Sequence, residues 1–163
     1  MPAGDNEKKL RNLVLDKFGQ IALAGKRSYA SYFDGHDGKV YISVDDTILL
    51  PDGRMILIEV DSGNYAKLIA GQYALINGLF DGVRDKTLFL VVHCYKSSKN
   101  KKEYSSSRTI KNLNAIQKFN CNAAWLPYAA LTLSEFSAIV SISNSIDELG
   151  AALWAISSAS EWS

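Results

Sequence analysis

Apolar positions change their spacing several times along the chain, and each change marks a predicted element. Leu10, Leu13, Val14, Phe18 and Ile21 recur at helical spacing, so residues 5–24 are predicted as a helix with Asp5 as its N-cap and Gly25 as its stop. SYASYF (28–33) places aromatics at short intervals and reads as a strand that ends in the turn cluster DGHDG. KVYISVDDTILL (39–50) is strongly β-forming. After the turn PDGR, MILIEVD (55–61) is a nearly continuous apolar run, as in strands covered on both faces. Past Ser62 and Gly63 the period becomes helical again over about 64–80, carried by Leu68, Ile69, Tyr73, Leu75 and Ile76 and closed by Gly82. TLFLVVHCY (87–95) reads as a buried strand, and a helix near 106–119 turns Ile110, Leu113, Ile116 and Phe119 inward. AAWLPY reads as a short strand ended by Pro127. One or two further helices from about 133 supply Phe136, Ile139, Leu149, Leu153 and Trp154 to the core. With no repeat, linker or low-complexity segment, the order α-β-β-β-α-β-α-β-α predicts one α/β domain over 1–163 built on a mixed sheet.

Composition narrows the class. The 163 residues are 47% hydrophobic and 21% charged, ordinary for a globular chain long enough to bury a core. No apolar run approaches the roughly 18 to 20 residues a membrane span needs. The first residues pass from polar straight into the amphipathic pattern with no secretory stretch, so the expected address is cytoplasmic, with no membrane partner. Cys94 and Cys121 lack zinc-site spacing and read as buried thiols. A net charge of +1 argues against coating nucleic acid by bulk charge but leaves room for a local basic surface. Lys96, Lys99, Lys101, Lys102, Arg108 and Lys111 fall in one serine- and asparagine-rich stretch with only Glu103 opposing them; taken alone, such a run reads as a solvated loop.

The chemistry concentrates in the hairpin. In LL-PDG-RM, Pro51 suits the first central position of a type I turn, Asp52 the second and Gly53 the left-handed bulge position that follows. Closing that three-residue loop pairs Leu50 with Arg54 and sets Asp45 opposite Glu59; pairing Leu50 with Met55 instead would bring in Asp46. The turn chemistry favours Asp45. Glu59 and Asp61 are two apart on one strand and share a face. Carboxylates set across from one another destabilise a sheet and are costly to bury unpaired, so a hard divalent cation with oxygen ligands is the natural compensation.

The run V-D-D-T-I-L-L-P-D-G-R-M-I-L-I-E-V-D-S-G resembles the catalytic hairpin of the PD-(D/E)XK nuclease superfamily, with an Asp on the first strand, a short turn and E-x-K at the end of an apolar strand. The resemblance implies a restriction-endonuclease-like αβββαβ core: a central mixed β-sheet flanked by helices, here with extra C-terminal helices. It implies Mg2+, with Mn2+ as a substitute, held by Asp45, Glu59 and Asp61, and hydrolysis of DNA phosphodiester bonds. Val44 stands where the motif has proline, and Asp61 where it has lysine. Lys67, early in the following helix, is the expected substitute cation, so the expected catalytic set is Asp45, Glu59, Asp61 and Lys67. Gln72 on that helix matches a position that often carries a functional glutamine, and Glu7 or Asp16 on the first helix would be an outer ligand. His93 reads as a satisfied structural histidine and His36 as an exposed turn residue. The basic stretch from Lys96 to Lys111 would grip the DNA backbone. With no base-reading module, the chain is expected to act with a second subunit or as a dimer, as in a restriction-type enzyme. The alternatives are a resolvase-like homodimer, or a binding domain of the same fold without catalysis.

Overall fold

The computed structural model describes residues 4–32, 38–97, 99, 102–119 and 124–157. Two elements differ from those predicted, one through a local glycine and one through strand pairing. Helix α1 (Asp5–Phe18) starts after Gly4 rather than at an Asp5 cap and ends well before Gly25. Gly19 takes φ 91°, a left-handed conformation that glycine adopts without strain, and its N–H closes onto the Leu15 carbonyl. Ile21, expected inward on a longer helix, is therefore 96% exposed. The predicted strand over 39–50 is two strands, β2 (Lys39–Val44) and β3 (Asp46–Leu49), separated at Asp45.

β2 pairs antiparallel with β1 (Arg27–Tyr32), while β3 forms a hairpin with β4 (Met55–Asp61). The main sheet runs β3-β4-β5-β6, with β4 parallel to β5 (Thr87–His93) and β5 parallel to β6 (Tyr128–Thr132). The mixed sheet and its flanking helices make this an α/β fold. β5 is buried along its whole length, which is why its sequence is apolar without alternation. On one side Leu10 and Val14 of α1 pack with Phe136 and Val140 of α4 (Leu133–Ile142) and Leu149 and Leu153 of α5 (Ile146–Ala155). On the other, Ile69, Tyr73 and Ile76 of α2 (Ala66–Leu79) and Leu113 of α3 (Ser107–Phe119) cover Leu57, Phe89 and Val91.

Further departures lie toward the C-terminus. Pro127 precedes β6 instead of ending a strand: its carbonyl accepts the Phe89 N–H at 2.8 Å, and the strand follows where N–H donors resume. Phe119, predicted inward, closes α3 at 87% exposure. The tail is two helices: a capping box of Thr132 and Glu135 opens α4, and Ser145 caps α5. Among the described residues no helix is long and apolar enough to cross a membrane.

Candidate functional site

The hairpin turn closes as three residues. Leu50 N–H bonds to the Arg54 carbonyl at 2.9 Å, Gly53 N–H to the Leu50 carbonyl at 3.0 Å, and Gly53 has φ 83°. Register then follows: Asp46 with Ile58 is the last pair of the ladder, and Asp45 sits just beyond it, with its N–H also turned to the Ile58 carbonyl and its charge acting on Glu59. The two candidate acids have different partners. Asp46 faces α1, where it binds the Arg11 guanidinium and accepts the backbone N–H groups of Gly25 (2.9 Å) and Thr47 (2.8 Å). That role is structural, pinning the segment after α1 to β3.

Asp45 stands where the chain leaves one sheet for the other. Its N–H still bonds to the Ile58 carbonyl at 2.9 Å, but the Val60 N–H is taken by the Asp45 side chain, at 2.8 Å, in place of a ladder carbonyl. Burial raises the Asp45 carboxyl above its usual range, against the lowering effects of the Val60 hydrogen bond and of Lys26. Glu59 is only 7% exposed. Gln72 of α2 donates to its Oε1 at 2.6 Å, while Oε2 is buried with no hydrogen-bond partner. Burial first, then the charge of Asp45, pushes Glu59 up to about 8.

Asp61 shares their face but is engaged elsewhere. It accepts from His93 Nδ1 at 2.9 Å, from Gly63 N–H at 3.0 Å and from Tyr65 N–H at 3.1 Å. Burial raises its carboxyl, but these donors outweigh burial and hold it below the usual range. His93 is buried at the end of β5 with Nε2 unpartnered, and its ring meets Tyr104 edge-on at 5.5 Å. Three acids expected to converge are thus a neighbouring pair, Asp45 with Glu59, beside an Asp61–His93 pair. Among the described residues no group of three or more His, Cys, Asp or Glu gathers closely enough to cage a metal ion. An oxygen-only pair still suits Mg2+, which keeps several waters and is commonly bound through one or two carboxylates.

The other expected residues distribute as follows. Lys67 is exposed in the first turn of α2, with no hydrogen bond or ion pair to these acids among the described residues. Gln72 does reach the site. The charge of Glu7 acts on Glu59, and the neighbouring Asn6 bonds to Ser62 Oγ at 2.9 Å, whereas Asp16 is exposed near the far end of α1. Lys96 lies 4.0 Å from Glu103, and the two residues form a short bridge between chain segments. Lys99, Lys102, Arg108 and Lys111 are exposed. Lys101, His36 and Cys121 lie outside the described residues. Cys94 is buried, which pushes its thiol up to about 11. The residue that sequence reasoning missed is Lys26, whose charge acts on both Asp45 and Glu59. Its place in an apparent helix tail gave no signal.

Compared with models of protein families, with curated proteins and with solved structures, the chain finds no significant match.

Proposed function

We propose that this protein is a divalent-metal-dependent endodeoxyribonuclease of the PD-(D/E)XK type, with a restriction-endonuclease-like core. The observation that carries the reading is the Asp45–Glu59 pair: two neighbouring carboxylates at the end of the hairpin, one buried with an oxygen that no donor satisfies. A fold meets the cost of such a pair when the pair binds a cation. Asp45, Glu59 and the Val60 carbonyl, which leaves the strand on the same side as the N–H bound to Asp45, would hold Mg2+ or Mn2+. The bound metal supplies Lewis-acid polarisation of a phosphate oxygen and a more acidic water.

The chain's own residues supply position. Gln72 fixes the rotation of the Glu59 carboxylate, leaving Oε2 directed away from that bond. Asp45, braced by the Val60 N–H, is held at the strand break. In the reaction, water adds to phosphorus and one P–O ester bond breaks. The water loses a proton and the leaving oxygen gains one, yielding a phosphate end and a hydroxyl end. A single such site cuts one strand, so cleavage of both requires a second copy or a partner subunit.

A second reading, a nucleic-acid-binding domain without catalysis, is favoured by the diversion of Asp61 to His93 and to the α2 N-terminus. Plasmid nicking separates the two. Metal-dependent nicking is expected with Mg2+ or Mn2+, reduced by at least about 100-fold in Glu59→Gln. A protein that binds DNA but nicks it under neither metal, alone or with a partner subunit, makes the second reading correct.

A further inference from the structure

A phosphodiester brought to the Asp45–Glu59 pair meets two carboxylates, and its transition state carries more charge on oxygen than its ground state. A fixed cation on the same face addresses both problems. The backbone shows where one stands. Arg27 pairs with Val44 and Ser28 with Ser43, and the alignment continues beyond the end of β1, since Ala24 N–H bonds to the Thr47 carbonyl at 2.7 Å. Between those two fixed points Lys26 lies across from Asp45. Residues directly opposite in antiparallel pairing project to one face. Lys26 therefore adjoins Asp45 on the neighbouring segment, and the charges of both act on Glu59.

The segment bearing Lys26 is held firmly. Gly25 N–H is bound by the buried Asp46 carboxylate at 2.9 Å, and Asp46 is itself fixed by Arg11. The lysine is exposed and, among the described residues, makes no ion pair or hydrogen bond, so its ammonium is open to an incoming anion. Its charge acts on both carboxylates. Lys67, the cation expected from the sequence, has no comparable tie to either acid.

We infer that Lys26 is the catalytic cation of this site, donating from Nζ to a non-bridging oxygen of the scissile phosphate. The lysine transfers no proton; its hydrogen bond strengthens as charge builds on that oxygen. The inference rests on the nuclease reading, and its test is arranged to fail separately from it.

The experiment compares wild type, Lys26→Met, Lys26→Arg and Glu59→Gln in steady-state plasmid cleavage, with Mn2+ affinity measured by calorimetry on the same preparations. Loss of the Lys26 charge is expected to lower kcat by about 100-fold with little change in KM. Mn2+ should bind Lys26→Met as tightly as wild type or more tightly, because a like charge has been removed. Lys26→Arg should recover part of the lost rate. A collapsed site would weaken Mn2+ binding along with cleavage, which distinguishes misfolding from a lost catalytic group. If wild type cleaves, Glu59→Gln does not, and Lys26→Met cleaves within about threefold of wild type, this inference is overturned and the nuclease reading stands. If wild type cleaves nothing, alone or with a partner subunit and whether or not it binds Mn2+, both fall.

Discussion

Glu59 feels the charge of Asp45, is almost wholly buried and leaves one oxygen without a donor, so its ionised form weakens the fold that contains it. Its carboxyl titrates at about 8 in the folded protein against an ordinary value of 4.5. Between those values the folded state keeps a proton that the unfolded chain has released. The stability associated with Glu59 is thus fully present below about pH 4.5 and is lost as pH rises through 8. Glu59→Gln keeps the shape and the neighbouring Gln72 while removing the charge. The metal-free variant is expected to be more stable than wild type at pH 8.5, by on the order of 1 to 3 kcal/mol. The gap should close at pH 5, and Mn2+ should stabilise wild type alone. Urea unfolding at both pH values checks this; a variant less stable than wild type at pH 8.5 would show that Glu59 is satisfied in the fold and not strained by it. Of this site, Glu59 and its partner Asp45 were legible in the sequence because local turn chemistry fixes register. The fate of Asp61 was not. Its partner His93 is 32 residues away, and only the parallel alignment of β4 with β5 brings them together.

At the scale of elements, the break at Asp45 shows where periodicity stops being informative. Residues 39–50 are β-forming throughout, and nothing local divides them. The division is imposed by pairing, since β2 follows β1 while β3 follows β4. Asp46 stabilises the break from the opposite face, joining α1 through Arg11, the 19–26 segment through Gly25 and the start of β3 through Thr47. Replacing Asp46 by Ala leaves two backbone donors and a guanidinium without their acceptor. It is expected to cost about 2 to 4 kcal/mol in urea unfolding, with Asp46→Asn costing less because one acceptor oxygen remains. Asp46→Ala should also lower nicking activity while leaving Glu59 unchanged in sequence, because the segment carrying Lys26 is released. A neutral effect on stability would mean that the β2–β3 break is held by β1 and β4 alone. The apolar runs of β4 and β5 and the helical periods of α2 and α3 were readable because burial on both faces, or on one stripe, leaves its period in the sequence. The end of α1 was misplaced because a helical period continued beyond a glycine that ends the helix.

Across the whole molecule a net charge of +1 conceals a separation of sign. The acids lie where β4 and β5 run out, and the basic segment begins at that same end. It follows β5 directly and folds back so that Tyr104 touches His93, itself bonded to Asp61. From there Lys99 and Lys102 lead to α3, which carries Arg108 and Lys111 one turn apart on an exposed face. On the proposed nuclease reading, a duplex drawn to this surface by its phosphates would lie beside the acids, with the lysines and arginine governing affinity and the carboxylates governing chemistry. The separation predicts a particular failure pattern. The triple variant Lys99→Ala, Arg108→Ala, Lys111→Ala should bind DNA more weakly, and its dependence of log affinity on log salt should be shallower by up to about 2.7, near 0.9 for each phosphate no longer neutralised. Cleavage at saturating DNA should be affected far less than affinity, because none of the three is among the proposed catalytic residues Lys26, Asp45 and Glu59. Fluorescence anisotropy from low to moderate salt, with Ca2+ in place of Mg2+, measures the slope. An unchanged slope would remove the 96–111 segment from the interface and require another surface to hold the duplex against the acids.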